Sequence, residues 1–161
     1  MNEHREFVAW LREQTSYSSI LLNEIDFDRH ISSFVDIFVY DSTQEPIEVT
    51  TVVGGKLDAY TGQSVMKCLF APVAVIGERV CHFDGGHLRS YGFFNVDQID
   101  KVSESNQPIR KSLIRSLNSR SIELLNSEDA STCFSGMTQG DYHLLDRTSP
   151  VLFDVFFQWS D

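Results

Sequence analysis

Positive charge is scarce in this chain. Lys and Arg total 13 against 23 Asp and Glu over 161 residues, a formal net charge of −10 with His neutral. Whole-surface binding to nucleic acid or to anionic membrane needs the opposite balance. Long apolar runs are missing too. The longest, residues 68–77, is interrupted by Pro72, well short of the ~18 residues of a membrane span. The first twelve residues carry charge through their first half and hold no apolar stretch of signal-peptide length. Cysteines are few and odd in number: Cys68, Cys81 and Cys133. That predicts three reduced thiols in a cytoplasmic protein, with one disulfide plus one free thiol as the alternative. The chain shows neither an internal repeat nor a low-complexity tract.

What is present is an ordinary globular composition, 42% apolar. A chain of this length can bury roughly two thirds of its unfolded surface, so a single domain over 1–161 needs no disulfide, metal or cofactor to hold it together. Phe7, Trp10 and Leu11 recur at i, i+3 and i+4, which predicts a helix over 2–14, with Asn2 as its cap.

The period then changes to two. Residues 20–28 alternate an apolar face with Glu24, Asp26 and Asp28, the mark of a half-buried strand. Residues 34–40 are apolar on both faces except at Asp36, which predicts a central strand. Residues 47–53 form a third strand with Ile47 and Val49 on its apolar face. A weaker strand is expected over 56–61. Segments 65–70 and 73–76 read as strand around Ala71 and Pro72, a bulge or an edge. Segments 79–83 and 87–94 flank Asp84-Gly85-Gly86, the strongest hairpin signal.

After a polar loop, Pro108 suits a first helical turn. Ile109, Leu113 and Leu117 carry helical spacing over 108–126, irregular near Asn118. The alternation of Val151, Phe153, Val155, Phe157 and Trp159 predicts a C-terminal strand docked centrally. The sum is an α+β fold: a curved, mainly antiparallel sheet with an N-terminal helix and one later helix packed on it, and the C-terminal strand in the sheet.

Charge is unevenly spread. The net is −7 over 1–58 but +3 over 101–125, where Lys101, Arg110, Lys111, Arg115 and Arg120 gather. The basic helix is either an anion site or a face that offsets the acidic sheet within the molecule. Glu24, Asp26 and Asp28, two apart on one strand face, repel one another unless solvated or supplied with cations. Asp36, Asp41, Glu45 and Glu48 follow them closely.

Chemistry has weaker signals. His82, Asp84 and His87, with Arg89, meet near a hairpin tip. With Asp84-Gly85 as the turn, His82 faces His87. With Gly85-Gly86 as the turn, Asp84 faces His87 and His82 faces Arg89. Imidazoles beside a carboxylate can transfer protons or bind a divalent metal. Cys68, Cys81, His82 and His87 lack the close ligand pairs of a zinc knuckle. Cys133 and His143 are a thiol and a base that nothing in the sequence brings together. Gly54-Gly55-Lys56 lacks the earlier Gly and following Ser/Thr of a phosphate loop.

The profile, small, acidic and single-domain, resembles that of immunity proteins that neutralise basic bacterial toxins, though no motif carries the likeness. It implies a non-enzymatic binding module, a monomer or homodimer without cofactor or metal. Glu24, Asp26, Asp28, Asp36, Asp41, Glu45 and Glu48 would then meet the phosphate-holding Lys and Arg of a basic, nuclease-like partner. The alternatives are a hydrolase built on His82, Asp84 and His87, and a secretion chaperone or adaptor presenting a sheet edge near Pro72.

Overall fold

The computed structural model describes residues 3–23, 33–50, 54–92, 94–133 and 151–157. Among them the fold is α+β, a seven-stranded sheet with helices on it. The strands are β1 (Ser18–Leu21), β2 (Phe34–Tyr40), β3 (Ile47–Thr50), β4 (Lys56–Cys68), β5 (Val73–Asp84), β6 (His87–Tyr91) and β7 (Glu123–Leu124). Their order is β1-β2-β4-β5-β6, all antiparallel, with β3 also on β4 and β7 parallel to β5.

Two long strands organise the rest. The weak segment at 56–61 and the segment at 65–70 are one strand, β4, of 13 residues; the two pieces around 73–83 are one strand, β5, of 12. On its outer side β4 takes two partners in line. Residues 63–68 pair with β2 and residues 56–59 with β3. Gly62 lies between these stretches because a Cβ there would run into the Val39 carbonyl and stand 2.8 Å from the Phe38 ring. Pro72 sits in the short link between these two central strands, so no sheet edge lies there: β7 covers the other side of β5 at Val73 and Ala74.

One face of the sheet carries the helices. In α1 (Glu3–Gln14), Phe7, Val8 and Leu11 are buried; in α2 (Gln107–Ser119), Ile109, Leu113 and Leu117 are. They pack on Val35, Ile37 and Val39 of β2, Val65 of β4, and Ala74 and Ile76 of β5. Glu3 and Glu6 in the first turn of α1 and Arg12 in its last suit the helix dipole. Glu78 of β5 accepts from Ser103 N at 2.6 Å and Asn106 Nδ2 at 3.2 Å, which fixes the entry to α2. The irregularity near Asn118 is the helix end: the chain leaves through Ser121 at φ 57 and continues into β7.

The opposite face is closed by the stretch after β6 and by α3 (Ser127–Ala130) and α4 (Leu152–Phe156). The 3-10 turn Val96–Gln98 crosses β5 at Gly77, whose missing Cβ would collide with the Gln98 carbonyl and lie 2.7 Å from the Phe94 ring.

The expected C-terminal strand is instead the helix α4. The segment is apolar at nearly every position, so it satisfies both periods, and Phe153, Phe156 and Phe157 also stand at i, i+3 and i+4. Asp154 decides locally by accepting from Val151 N at 2.8 Å. Residues 158–161, with Trp159, lie outside the described residues.

Gly77→Ala should lower stability by about 1–3 kcal/mol through overpacking, measured by urea denaturation. A pH effect follows from His4, buried in α1 with Nε2 3.1 Å from the Phe34 carbonyl. Burial lowers its pKa below 6.5, so the unfolded chain binds a proton more readily. The His4 contribution is complete above pH 6.5 and is lost as pH falls through the folded value. Denaturation midpoints from pH 8 to pH 5 should fall less steeply in His4→Gln than in the native chain.

Candidate protein-binding surface

Alternate residues of a strand face opposite ways, and paired residues share a face. On the face away from α1 and α2, Asp36 and Arg79 meet across β4. Arg79 Nη1 donates to both Asp36 oxygens, at 2.9 and 2.8 Å, and to Ser64 Oγ at 3.2 Å. The guanidinium lies 5.1 Å from the Phe94 ring centre and 5.4 Å from that of Tyr91. Asp36 is 1% exposed. Burial pushes its carboxyl up, and Arg79 pulls it part of the way back. Asp36 is therefore an internal ion-pair member and leaves the set of surface carboxylates. The strand pattern did show it as the one polar position among apolar neighbours, which fits a buried pair as well as an exposed acid.

The other acidic residues separate by position. Glu24, Asp26 and Asp28 lie outside the described residues. Asp41, Glu45 and Glu48 are on the β2–β3 loop and β3. Asp41 Oδ1 accepts from Thr43 N at 3.0 Å and Thr43 Oγ1 at 2.6 Å. Glu45 is exposed. Glu48 pairs with Lys56 Nζ at 3.0 Å and stands opposite Asp58. Asp58 escaped the sequence reading because its strand looked weak; the β3–β4 register is what aligns it with Glu48.

This end of the sheet extends past the helices. On the helix-side face β3 and β4 present Ile47, Val49, Leu57 and Ala59, and β5 adds Val80. Ile47 is 64% exposed. α1 and α2 pack on residues 35–39, 65 and 74–76 and leave Ile47 and Val80 exposed, Val49 and Leu57 half-buried and Ala59 buried. The other face here holds Tyr40, Tyr60 and Phe83, with ring centres 5.0–5.6 Å apart. Lys56 answers Glu48, and Arg89 answers Asp84 at 3.0 Å. Asp41, Glu45 and Asp58 have no cation within ion-pair distance among the described residues. This end therefore carries apolar side chains on its helix-side face and carboxylates on the other face and on the β2–β3 loop, groups of the kinds found at protein interfaces.

The hairpin brings Asp84 to His87 and Arg89 but sets His82 apart from them. Gly85 and Gly86 take φ 55 and 84 in a two-residue turn, so Asp84 faces His87. A bulge between His82 and Phe83 shifts the next pair, and His82 faces Ser90 rather than Arg89. His82 Nδ1 is 3.3 Å from Ser90 Oγ, while Arg89 holds the Asp84 carboxylate. Asp84, His87 and Arg89 are all exposed.

Cys68 and Cys81 are buried free thiols on the face opposite His82, so these residues do not converge; burial pushes Cys81 up to about 12. Cys133 is exposed, and His143 lies outside the described residues. The basic helix is partly spent inside the molecule. Arg110 pairs with Asp100 at 2.9 Å, and Arg120 lies over the Trp10 ring at 4.7 Å. Lys111 and Arg115 are exposed. No helix among the described residues is long and apolar enough to cross a membrane. Compared with protein-family models, with curated proteins and with solved structures, the chain matches none.

Asp36→Ala should cost about 3–5 kcal/mol, because Arg79 would be left charged and buried. Replacing the pair together, Asp36→Leu with Arg79→Met, should cost clearly less than Asp36→Ala alone. Urea denaturation of the three chains checks both orderings.

Proposed function

We propose that this protein is a binding module for a basic protein partner, and that it acts as an immunity- or antitoxin-type inhibitor. It would cover the active site of a nuclease-like toxin rather than carry out a reaction. The observation that supports this reading is the uncovered end of the sheet. Ile47 stands out of one face of the sheet at 64% exposure, Asp58 lies on the opposite face of the same end, and Asp41, Glu45 and Asp58 have no cation within ion-pair distance among the described residues. Apolar burial would supply affinity. The carboxylates would speed encounter and match the Lys and Arg that a nuclease uses to hold phosphates. Glu24, Asp26 and Asp28 extend the same negative sequence and belong to the proposal as further contacts. Three free thiols fit a reducing compartment, so the partner would be met in the cytoplasm.

Capture from the source cell at low and at high salt tests the reading. A basic protein should be recovered in stoichiometric amount at low salt and partly lost at high salt. Charge reversal of Asp41, Glu45 and Asp58 to Lys should slow association at least tenfold and flatten the salt dependence. Full affinity with unchanged salt dependence in that variant would remove these residues from the interface.

A further inference from the structure

The reading above leaves open how a partner is held, and the edges of the sheet differ in a way that bears on it. Exposed strand edges offer unpaired N–H and C=O groups, and proteins shield them with bulges, side chains, charges or short length. Three edges here are shielded. Along β1, Arg12 donates through Nη2 to the Ser19 carbonyl at 3.1 Å and through Nε to Ser19 Oγ at 3.0 Å. Along β6 the bulge opposite His82 breaks the register. β7 is two residues long. β3 has a partner only on its β4 side among the described residues. Ile47, Glu48 and Thr50 are exposed; the four-residue strand contains no bulge, proline or lysine, and its one charge, Glu48, is paired with Lys56 of β4.

The two faces of β3 make unlike demands. Ile47 and Val49 lie on the apolar side, while Glu48 lies on the side of Asp58 and Lys56. There one cation serves two carboxylates: Lys56 is held by Glu48, and Asp58, two residues along the same face of β4, has none within ion-pair distance among the described residues. A cation arriving beside Glu48 would free Lys56 for Asp58. A second copy of this chain whose β3 set Glu48 against Glu48 would add repulsion.

We propose that the outer edge of β3 receives an extended segment of the basic partner by strand addition. This rests on the partner-binding reading. The added strand alternates: Lys or Arg on the Glu48 side, apolar residues beside Ile47 and Val49. Backbone pairing over Ile47–Thr50 spans about 13 Å and sets the register, and the alternation sets the specificity.

The test is amide hydrogen exchange of the full chain, read by NMR, with two acetylated hexapeptides, one alternating Lys and Val and one alternating Glu and Val. In the free protein the outward amides of β3 should exchange rapidly. The Lys peptide should slow them by about tenfold or more, less so at high salt, and the Glu peptide should leave them unchanged. In the double variant Glu48→Lys, Asp58→Lys the preference should reverse. Slow exchange at β3 without peptide overturns the proposal, since the edge is then already paired. So does protection that needs no peptide but grows with protein concentration, which assigns the edge to a second copy. Equal protection by both peptides overturns the charge rule. Lys-peptide binding that shifts the acidic residues without protecting β3 overturns strand addition yet leaves the partner-binding reading intact. Absence of any Lys-peptide binding, together with failed capture of a basic protein, defeats both.

Discussion

The buried pair of Asp36 and Arg79 constrains one whole face of the sheet. The two residues belong to strands separated by β4, and Arg79 must reach diagonally across it. In register, Asp36 lies beside Met66 and Arg79 beside Gly62, with Ser64 and Gly77 in the row between. Ser64 in that row accepts from Arg79 Nη1 at 3.2 Å. The pair also divides the apolar side chains of that face. Phe34, Met66, Val75 and Phe94 lie on one side of it, and Phe38, Cys81 and Phe83 on the other. Such a pair contributes little net stability after desolvation, but breaking it is expensive. Its effect is to fix register, because slipping β2 by one residue would turn Asp36 into the helix-side core.

The free end of the sheet follows from the lengths of β4 and β5. The helices cover only the stretch where β4 pairs with β2. Beyond Gly62 the two long strands continue with β3 and β6 as flanks. On the helix-side face there, Ile47, Val49, Leu57, Ala59 and Val80 stand beside Thr61 and His82, away from the residues on which α1 and α2 pack. Helix packing explains the sheet up to Gly62, and the apolar residues beyond it are those on which the proposed binding role rests.

Much of the fold was legible in the sequence. The spacing of Phe7 and Leu11, and of Ile109, Leu113 and Leu117, marked both main helices. Period-two alternation marked the strands, and Asp84-Gly85-Gly86 marked the hairpin while leaving open which pair makes the turn. What failed did so for identifiable reasons. At residues 151–157 nearly every position is apolar, so two periods fit and only the Asp154 cap separates them. Pro72 resembled an edge residue because a proline in a link between central strands leaves the same local trace. Asp36 was seen as exceptional but placed in solvent, since the sequence does not show that Arg79, 43 residues later, comes to meet it. Ile47 was legible as part of an apolar strand face, but its exposure was not, since alternation reveals a face without revealing what covers it. The bulge at His82 has no sequence signal, and it alone keeps Arg89 from facing His82.

The link between β4 and β5 is only residues 69–72, and this bears on the order of assembly. Closing so short a loop costs little chain entropy, whereas bringing β2 onto β4 closes a much longer one. The long hairpin can therefore zip while Asp36 and Arg79 are both still hydrated. In that order of assembly the pair loses its water only when β2 docks, and Phe34 and Phe38 of the same strand are buried with it. The cost of dehydrating the pair is then offset by aromatic burial in the same step.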